Sequence, residues 1–200
     1  MIANLGYGAL VLTLIVSFYG IGAALVVLRK NKPALVDSAR NAMLLTFPLL
    51  TLSALSIIYL LATNHFEVEY VASVTSRSMP MYLKVTALWG GQSGSLVFWS
   101  WLMSAFASAV TLRKWDRDRE FLPWVIVVSL ITLAFFLALN LFVENPFTRL
   151  WALPSGQVIE AMLRPAGGSL YFPSDGRGLN PLLRHPGMII HPPMLYLGFV

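Results

Sequence analysis

The sequence predicts an all-α, polytopic integral membrane protein: four complete transmembrane helices plus the start of a fifth, with the amino terminus extracytoplasmic. Three observations carry that prediction. Hydrophobic residues make up 57% of the 200 residues and charged residues only 12%, where soluble domains carry about a quarter. The charges are also segregated, since Leu5–Leu28, Asn41–Thr63, Val85–Leu112 and Phe121–Val143 contain none. Each run exceeds the roughly 20 residues that cross a bilayer as a helix. Finally, basic residues crowd two short linkers: Arg29, Lys30, Lys32 and Arg40 after the first run, and Arg113, Lys114, Arg117 and Arg119 after the third. Basic short loops mark the cytoplasmic side, which places the amino terminus, residues 64–84 and residues 144–187 outside. Disorder, a secreted disulfide scaffold and a soluble enzyme are excluded.

The first span carries Gly6, Gly8, Gly20 and Gly22, small residues that let helices approach closely. Residues 1–28 lack a basic leader and a cleavage site, so this span reads as a permanent signal anchor. The second span holds Pro48, which kinks a helix and frees a carbonyl. Residues 66–75 alternate apolar and polar, an extended, strand-like pattern. The third run is too long for a single crossing. Its outer part, around LWGGQSGS, is expected at the outer interface with the crossing below it. The fourth span stops at Glu144-Asn145-Pro146.

These spans form a bundle over residues 1–143, followed by an extracytoplasmic loop over 144–187 and the first part of a fifth helix over 188–200. A loop of that length is usually functional. Within it, Val158, Ile159, Met162 and Leu163 form an apolar stripe that suggests a short helix lying on the membrane.

The net charge of +5 is explained by the topogenic linkers, so no nucleic-acid partner is expected; membrane lipid is the surrounding partner. The chain has no cysteine, which excludes disulfides, thiolate metal sites and thiol attachment of haem to the chain itself. No span contains an ionisable group, so the usual intramembrane proton or ion path is missing. Phosphate-binding glycine loops, HExxH and nucleophile elbows are also absent.

Two features remain as candidates for chemistry. Trp89, Gln92, Leu96, Trp99 and Met103 follow helical spacing along one face. Ordinary helix packing accounts for such a face, and interfacial anchoring accounts for Trp115, Trp124 and Trp151. Trp99 lies deep enough to pack on protein or on a ligand. The second feature is the histidines: His65 at the outer end of the second span, and His185 and His191, each followed by proline. The HPP sequence puts His191 at the cap of a helix starting at Pro192. An imidazole held there among apolar side chains suits axial ligation of haem iron; capping the helix amides is the plainer role. His65 reads as a solvated polar tip.

LWGGQSGSLVFW, ENPFTRL and GRGLNPLLRHPGMIIHPPMLYLGFV together resemble the amino-terminal portion of the F-type haem lyase subunit of cytochrome c-type biogenesis (the CcmF/NrfE family), within a wider haem-handling superfamily. The resemblance runs over essentially the whole chain. It implies a haem-binding membrane subunit of a bacterial or mitochondrial inner membrane. Such a subunit takes haem from a haem chaperone and promotes thioether attachment to the CxxCH thiols of apocytochrome c, together with other cytochrome c maturation subunits. It also implies that His191, the histidine of HPPMLYLG, is the first of two extracytoplasmic haem ligands, with Trp89 and Trp99 near the cofactor. No role passes to His185, and no catalytic residue is assigned.

Family members carry a tryptophan-rich WGxWWxWDPxE segment and three further ligand histidines that this chain lacks. The resemblance therefore implies half of a haem site at most, in a fragment or a split-gene product, whether as haem b or as haem in transit. Residues 155–172 read as an insertion relative to the family. The competing functions are a non-catalytic scaffold that docks chaperone and apocytochrome, and a haem transporter. The absence of a broken-helix pair disfavours the transporter.

Overall fold

The computed structural model describes residues 1–30, 33–113, 115 and 119–200; Lys32, Lys114 and Arg117 of the basic linkers lie outside the described residues. Four helices are long and apolar enough to cross a membrane: α1 (Ile2–Lys30), α2 (Pro33–Ala62), α5 (Gln92–Leu112) and α6 (Leu122–Phe142). Between α2 and α5 lie α3 (Glu69–Val74), α4 (Met81–Thr86) and a 3-10 turn, Ala87–Trp89. After α6 come β1 (Arg149–Ala152), β2 (Val158–Ala161), β3 (Ser169–Leu170), a 3-10 turn at Pro181–Arg184, and α7 (Pro186–Phe199).

Lipid tails are as apolar as leucine, so close packing rather than hydrophobic exclusion holds such helices together. α1 lies against both α2 and α6. A side chain at Gly20 would collide with Leu130 of α6 and Ala42 of α2, and one at Gly6 with the buried ring of Phe147. Gly8 and Gly22 face open space, so only two of the four glycines of α1 serve packing. Pro48 sits inside α2 as expected. On α5, Ser100 and Ser104 are fully buried and bond back to the carbonyls of Leu96 and Trp101. Across from them, the buried Asn140 of α6 reaches Ser100 Oγ at 3.4 Å.

The overlong third run divides at Gly90-Gly91. Gly91 is extended (φ −141°, ψ 169°), and the 21-residue α5 that follows is the part long enough to cross. Gly94 lies close to the Leu88 carbonyl and the Tyr70 hydroxyl, which leaves no room there for a Cβ. Buried Tyr70 donates to the carbonyls of Ala87 and Leu88 (2.7 and 3.1 Å), pinning α3 to the start of the crossing. Burial pushes the Tyr70 phenol well above its ordinary pKa.

Several expectations are corrected. Residues 66–75 are mainly helical rather than extended. Only Val68 pairs in a bridge, with Arg149, and then Tyr70, Val71 and Val74 take the helical spacing that faces the core. The expected surface helix around Val158–Leu163 is a strand. β1, β2 and β3 form an antiparallel sheet in the order β2-β1-β3, turned through Gly156 at φ 81°. The four-residue stripe was too short to separate the two periods, and β-branched Val158 and Ile159 favour the pleat. Trp151 is not an interfacial anchor. It is 5% exposed at the heart of this sheet, and its indole donates to Ala161 O at 2.9 Å.

The last helix starts six residues before Pro192, the expected beginning. His185 is its N-cap, with Nδ1 accepting from Gly187 N at 3.1 Å, and Pro186 takes the first helical position. His191 therefore lies in the second turn, ahead of two prolines that the helix accommodates.

Candidate functional site

α7 is seated on the N-terminal half of α5 by aromatic contacts. The Tyr196 ring stacks on Trp99 (centroids 5.6 Å apart) and meets Phe98 edge-on at 5.9 Å. Phe199 also approaches Trp99. Higher up, Trp89 Nε1 donates to Ile189 O at 3.2 Å. That acceptor has a reason to be available. In a regular helix it would bind the amide four residues on, but residue 193 is a proline and has none. Trp89 supplies the missing donor.

Ile189 and Tyr196 are seven residues apart and share one side of α7. His191 lies about 200° around from Ile189, on the opposite side, and it is exposed. Its imidazole makes no hydrogen bond among the described residues, while Ile190 and Met194 beside it are 62% and 61% exposed. An axial ligand needs a free ring nitrogen and apolar surroundings for the macrocycle, and His191 fits both requirements.

The two tryptophans hold the back of α7 while His191 is offered from its front. Trp99 instead walls an apolar cleft of about 380 Å³ between α5 and α6, together with Met103, Phe136 and Phe199. Its indole N–H is buried there without a partner. The described residues hold no cluster of three or more His, Cys, Asp or Glu that could bind a metal. His65 is paired with Glu67 (Nδ1 to Oε1 2.7 Å) just after the C-terminal end of α2, remote in sequence and element from α7.

The stretch before α7 is firmly docked. Arg177 N donates to Ala72 O at 2.8 Å and Gly178 N to Thr75 O at 3.0 Å. Asp175 accepts from Arg77 N and Gly176 N, both at 2.8 Å, and these two bonds hold its carboxyl below the usual range. Beneath the loop, burial pushes Glu69 up. Sequence reasoning missed this docking, although the GRG triplet signals it: Gly176 packs too closely on Thr75 O for a side chain, and Gly178 has φ 80°.

The sequence model of the family described as cytochrome C assembly protein matches residues 89–200, from Trp89 through His191. The chain belongs to that family. Among curated relatives, cytochrome c-type biogenesis protein CcmF of Haemophilus influenzae is 34% identical over all 200 residues, which are 28% of that protein. CcmF of Escherichia coli is 37% identical over 137 residues, 68% of this chain and 18% of the relative. NrfE of Haemophilus influenzae is 32% identical over the full chain, again 28% of its length. The chain thus spans little more than a quarter of the first of these relatives. A solved structure titled cytochrome c heme lyase CcmF shares the fold, with TM-score 0.76 and 21% identity over all of this chain and 28% of that one.

Proposed function

We propose that this chain is a haem-binding membrane subunit of cytochrome c-type biogenesis, presenting haem at the extracytoplasmic face of a bacterial inner membrane for thioether attachment to apocytochrome c. The observation that carries the reading is the exposed imidazole of His191, which makes no hydrogen bond among the described residues and lies on the side of α7 opposite the Trp89–Ile189 bond. Haem, when bound, supplies an iron that takes an axial imidazole and vinyl carbons that become thioethers. The chain's own contribution is positioning. Pro192 and Pro193 restrict the backbone beside His191, Trp89 fixes the turn from behind, and Ile190 and Met194 keep the surroundings apolar. With Arg29, Arg40 and Arg113 cytoplasmic, residues 64–84, the sheet and the start of α7 lie outside. α7 is then the beginning of a fifth crossing.

The test is covalent haem staining of cytochrome c in cells that depend on this protein. His191→Ala is expected to abolish the stain while the variant accumulates in the membrane at the normal level. Unchanged maturation would overturn the reading.

A scaffold role draws support from a different feature, the exposed apolar rim of the sheet and its flanks. Leu163 is 82% and Phe172 63% exposed, a surface suited to haem chaperone, apocytochrome c or another maturation subunit. If docking is the whole function, polar substitutions there break complexes, and His191→Ala leaves maturation intact.

A further inference from the structure

We infer that Arg177 and Arg184 form an oxyanion-binding site, for a carboxylate or a phosphate, in the cavity above Gly90. The cavity holds about 500 Å³, and its lining includes these two arginines, Asn180, Ser73 and Gly90. No acidic residue lines it. Neither arginine has an ion-pair partner among the described residues, where the one ion pair is His65–Glu67. Arg184 spends only Nε, on the Leu179 carbonyl at 3.1 Å. One of its terminal nitrogens lies 3.3 Å from where a Cβ on Gly178 would stand, at the cavity wall. The Arg177 guanidinium makes no hydrogen bond among the described residues. Asn180 uses its side-chain oxygen on Leu182 N, which leaves its amide N–H groups free.

The backbone is shaped for this arrangement. Arg177 is held between two anchors, its own N–H on Ala72 and that of Gly178 on Thr75. Gly178 takes a left-handed conformation, and Gly176 and Gly90 are too tightly packed for side chains. Two guanidinium forks facing a cavity without acids favour planar or tetrahedral oxyanions, which accept two parallel N–H bonds at once. The cavity floor, Gly90, adjoins Trp89 and precedes the first residue of α5, so the site opens at the outer end of that crossing. Two sources of such a group reach that level: the propionate carboxylates of haem and the phosphate of a lipid headgroup. The carboxylate source rests on the haem reading above; the phosphate source does not.

Two arms test the site, both on the chain in its folded state. In phosphatidylcholine nanodiscs, metal-free protoporphyrin IX and its dimethyl ester are titrated by fluorescence. The double variant Arg177→Gln/Arg184→Gln is expected to weaken the diacid by about tenfold or more and leave the ester unchanged. Because the probe lacks iron, His191→Ala leaves its affinity unchanged, so failure of the axial-ligand reading registers separately. In the second arm, native mass spectrometry counts phosphatidylglycerol molecules retained after extraction, and their loss in the double variant assigns the site to lipid phosphate. Arg184→Gln alone, with helicity checked by circular dichroism, guards against a folding defect. Diacid affinity and lipid retention both unchanged in the double variant would overturn the proposal. So would equal weakening of diacid and ester with lipid retention unchanged.

Discussion

Trp89 Nε1 donates to the carbonyl of Ile189 at 3.2 Å, filling the acceptor for which Pro193 has no amide. This one bond links the break before α5 to the second turn of α7. It thereby compensates for one of the two consecutive prolines inside a helix that carries the candidate ligand between them and the cap. Trp89→Phe keeps the ring and removes the donor, at a cost of about 1 kcal/mol. Hydrogen exchange should rise in the peptide covering residues 187–199 while α1 and α2 stay protected. In a Pro193→Ala background a backbone donor is restored, so the same Trp89→Phe change should have a much smaller effect. Strict additivity of the two changes would mean that the bond does not hold the turn.

His185 should behave as a cap and not as a ligand. His185→Ala is expected to fray the first turn of α7 by about 1 kcal/mol, and His185→Asn, which also accepts from the third residue of the motif, should restore most of it. Exchange rates near Gly187 report this directly. Equal fraying in both variants would remove the capping role.

The docked loop should loosen in acid. Asp175 has its pKa lowered, chiefly by the N–H groups of Arg77 and Gly176. A depressed carboxylate contributes stability above its unfolded pKa of about 3.9, and that contribution is lost as pH falls through the lower folded value. The exchange protection factor across residues 173–179, which removes the intrinsic pH dependence of amide exchange, should therefore fall as pH drops below about 3.9 and through the lowered Asp175 value. In Asp175→Ala the loop should be looser at neutral pH, with little further acid response. An identical acid response in the variant would assign the transition to other groups.

Gly94 and Gly8 make a matched pair of tests. Gly94→Ala meets the Tyr70 hydroxyl and the Leu88 carbonyl and is expected to lower stability by roughly 1–3 kcal/mol. Gly8→Ala points into open space and should be close to neutral. Thermal unfolding in detergent distinguishes them, and Tyr70→Phe should relieve part of the Gly94→Ala cost by removing the hydroxyl.

The four candidate crossings were legible because a charge-free run of sufficient length has few alternatives; α1 and α6 follow their runs closely, while α2 begins at Pro33, eight residues before Asn41. The split of the third run was legible from its length and from Gly90-Gly91. What could not be read were the short elements. Stripes of four apolar side chains such as Val158, Ile159, Met162 and Leu163 fit helix and strand alike, and the pairing partner that decides, Arg149–Ala152, lies across a turn. The cap was misplaced because HPG and HPP carry the same local signal. The choice between them depends on Trp89, about a hundred residues away, supplying a bond that Pro193 cannot. The motif around His191 suggested a candidate ligand only through the family resemblance. The opposite placement of the tryptophans was not legible, because it depends on how α7 docks.

The central claim is that His191, presented from the free side of α7, supplies an axial bond to haem iron. The most direct measurement is an optical and resonance Raman titration of haem into the chain in nanodiscs, comparing the wild type with His191→Ala, His185→Ala and His65→Ala. The histidine-ligated spectrum is expected to be lost in His191→Ala alone. The same spectrum and stoichiometry in His191→Ala would contradict it.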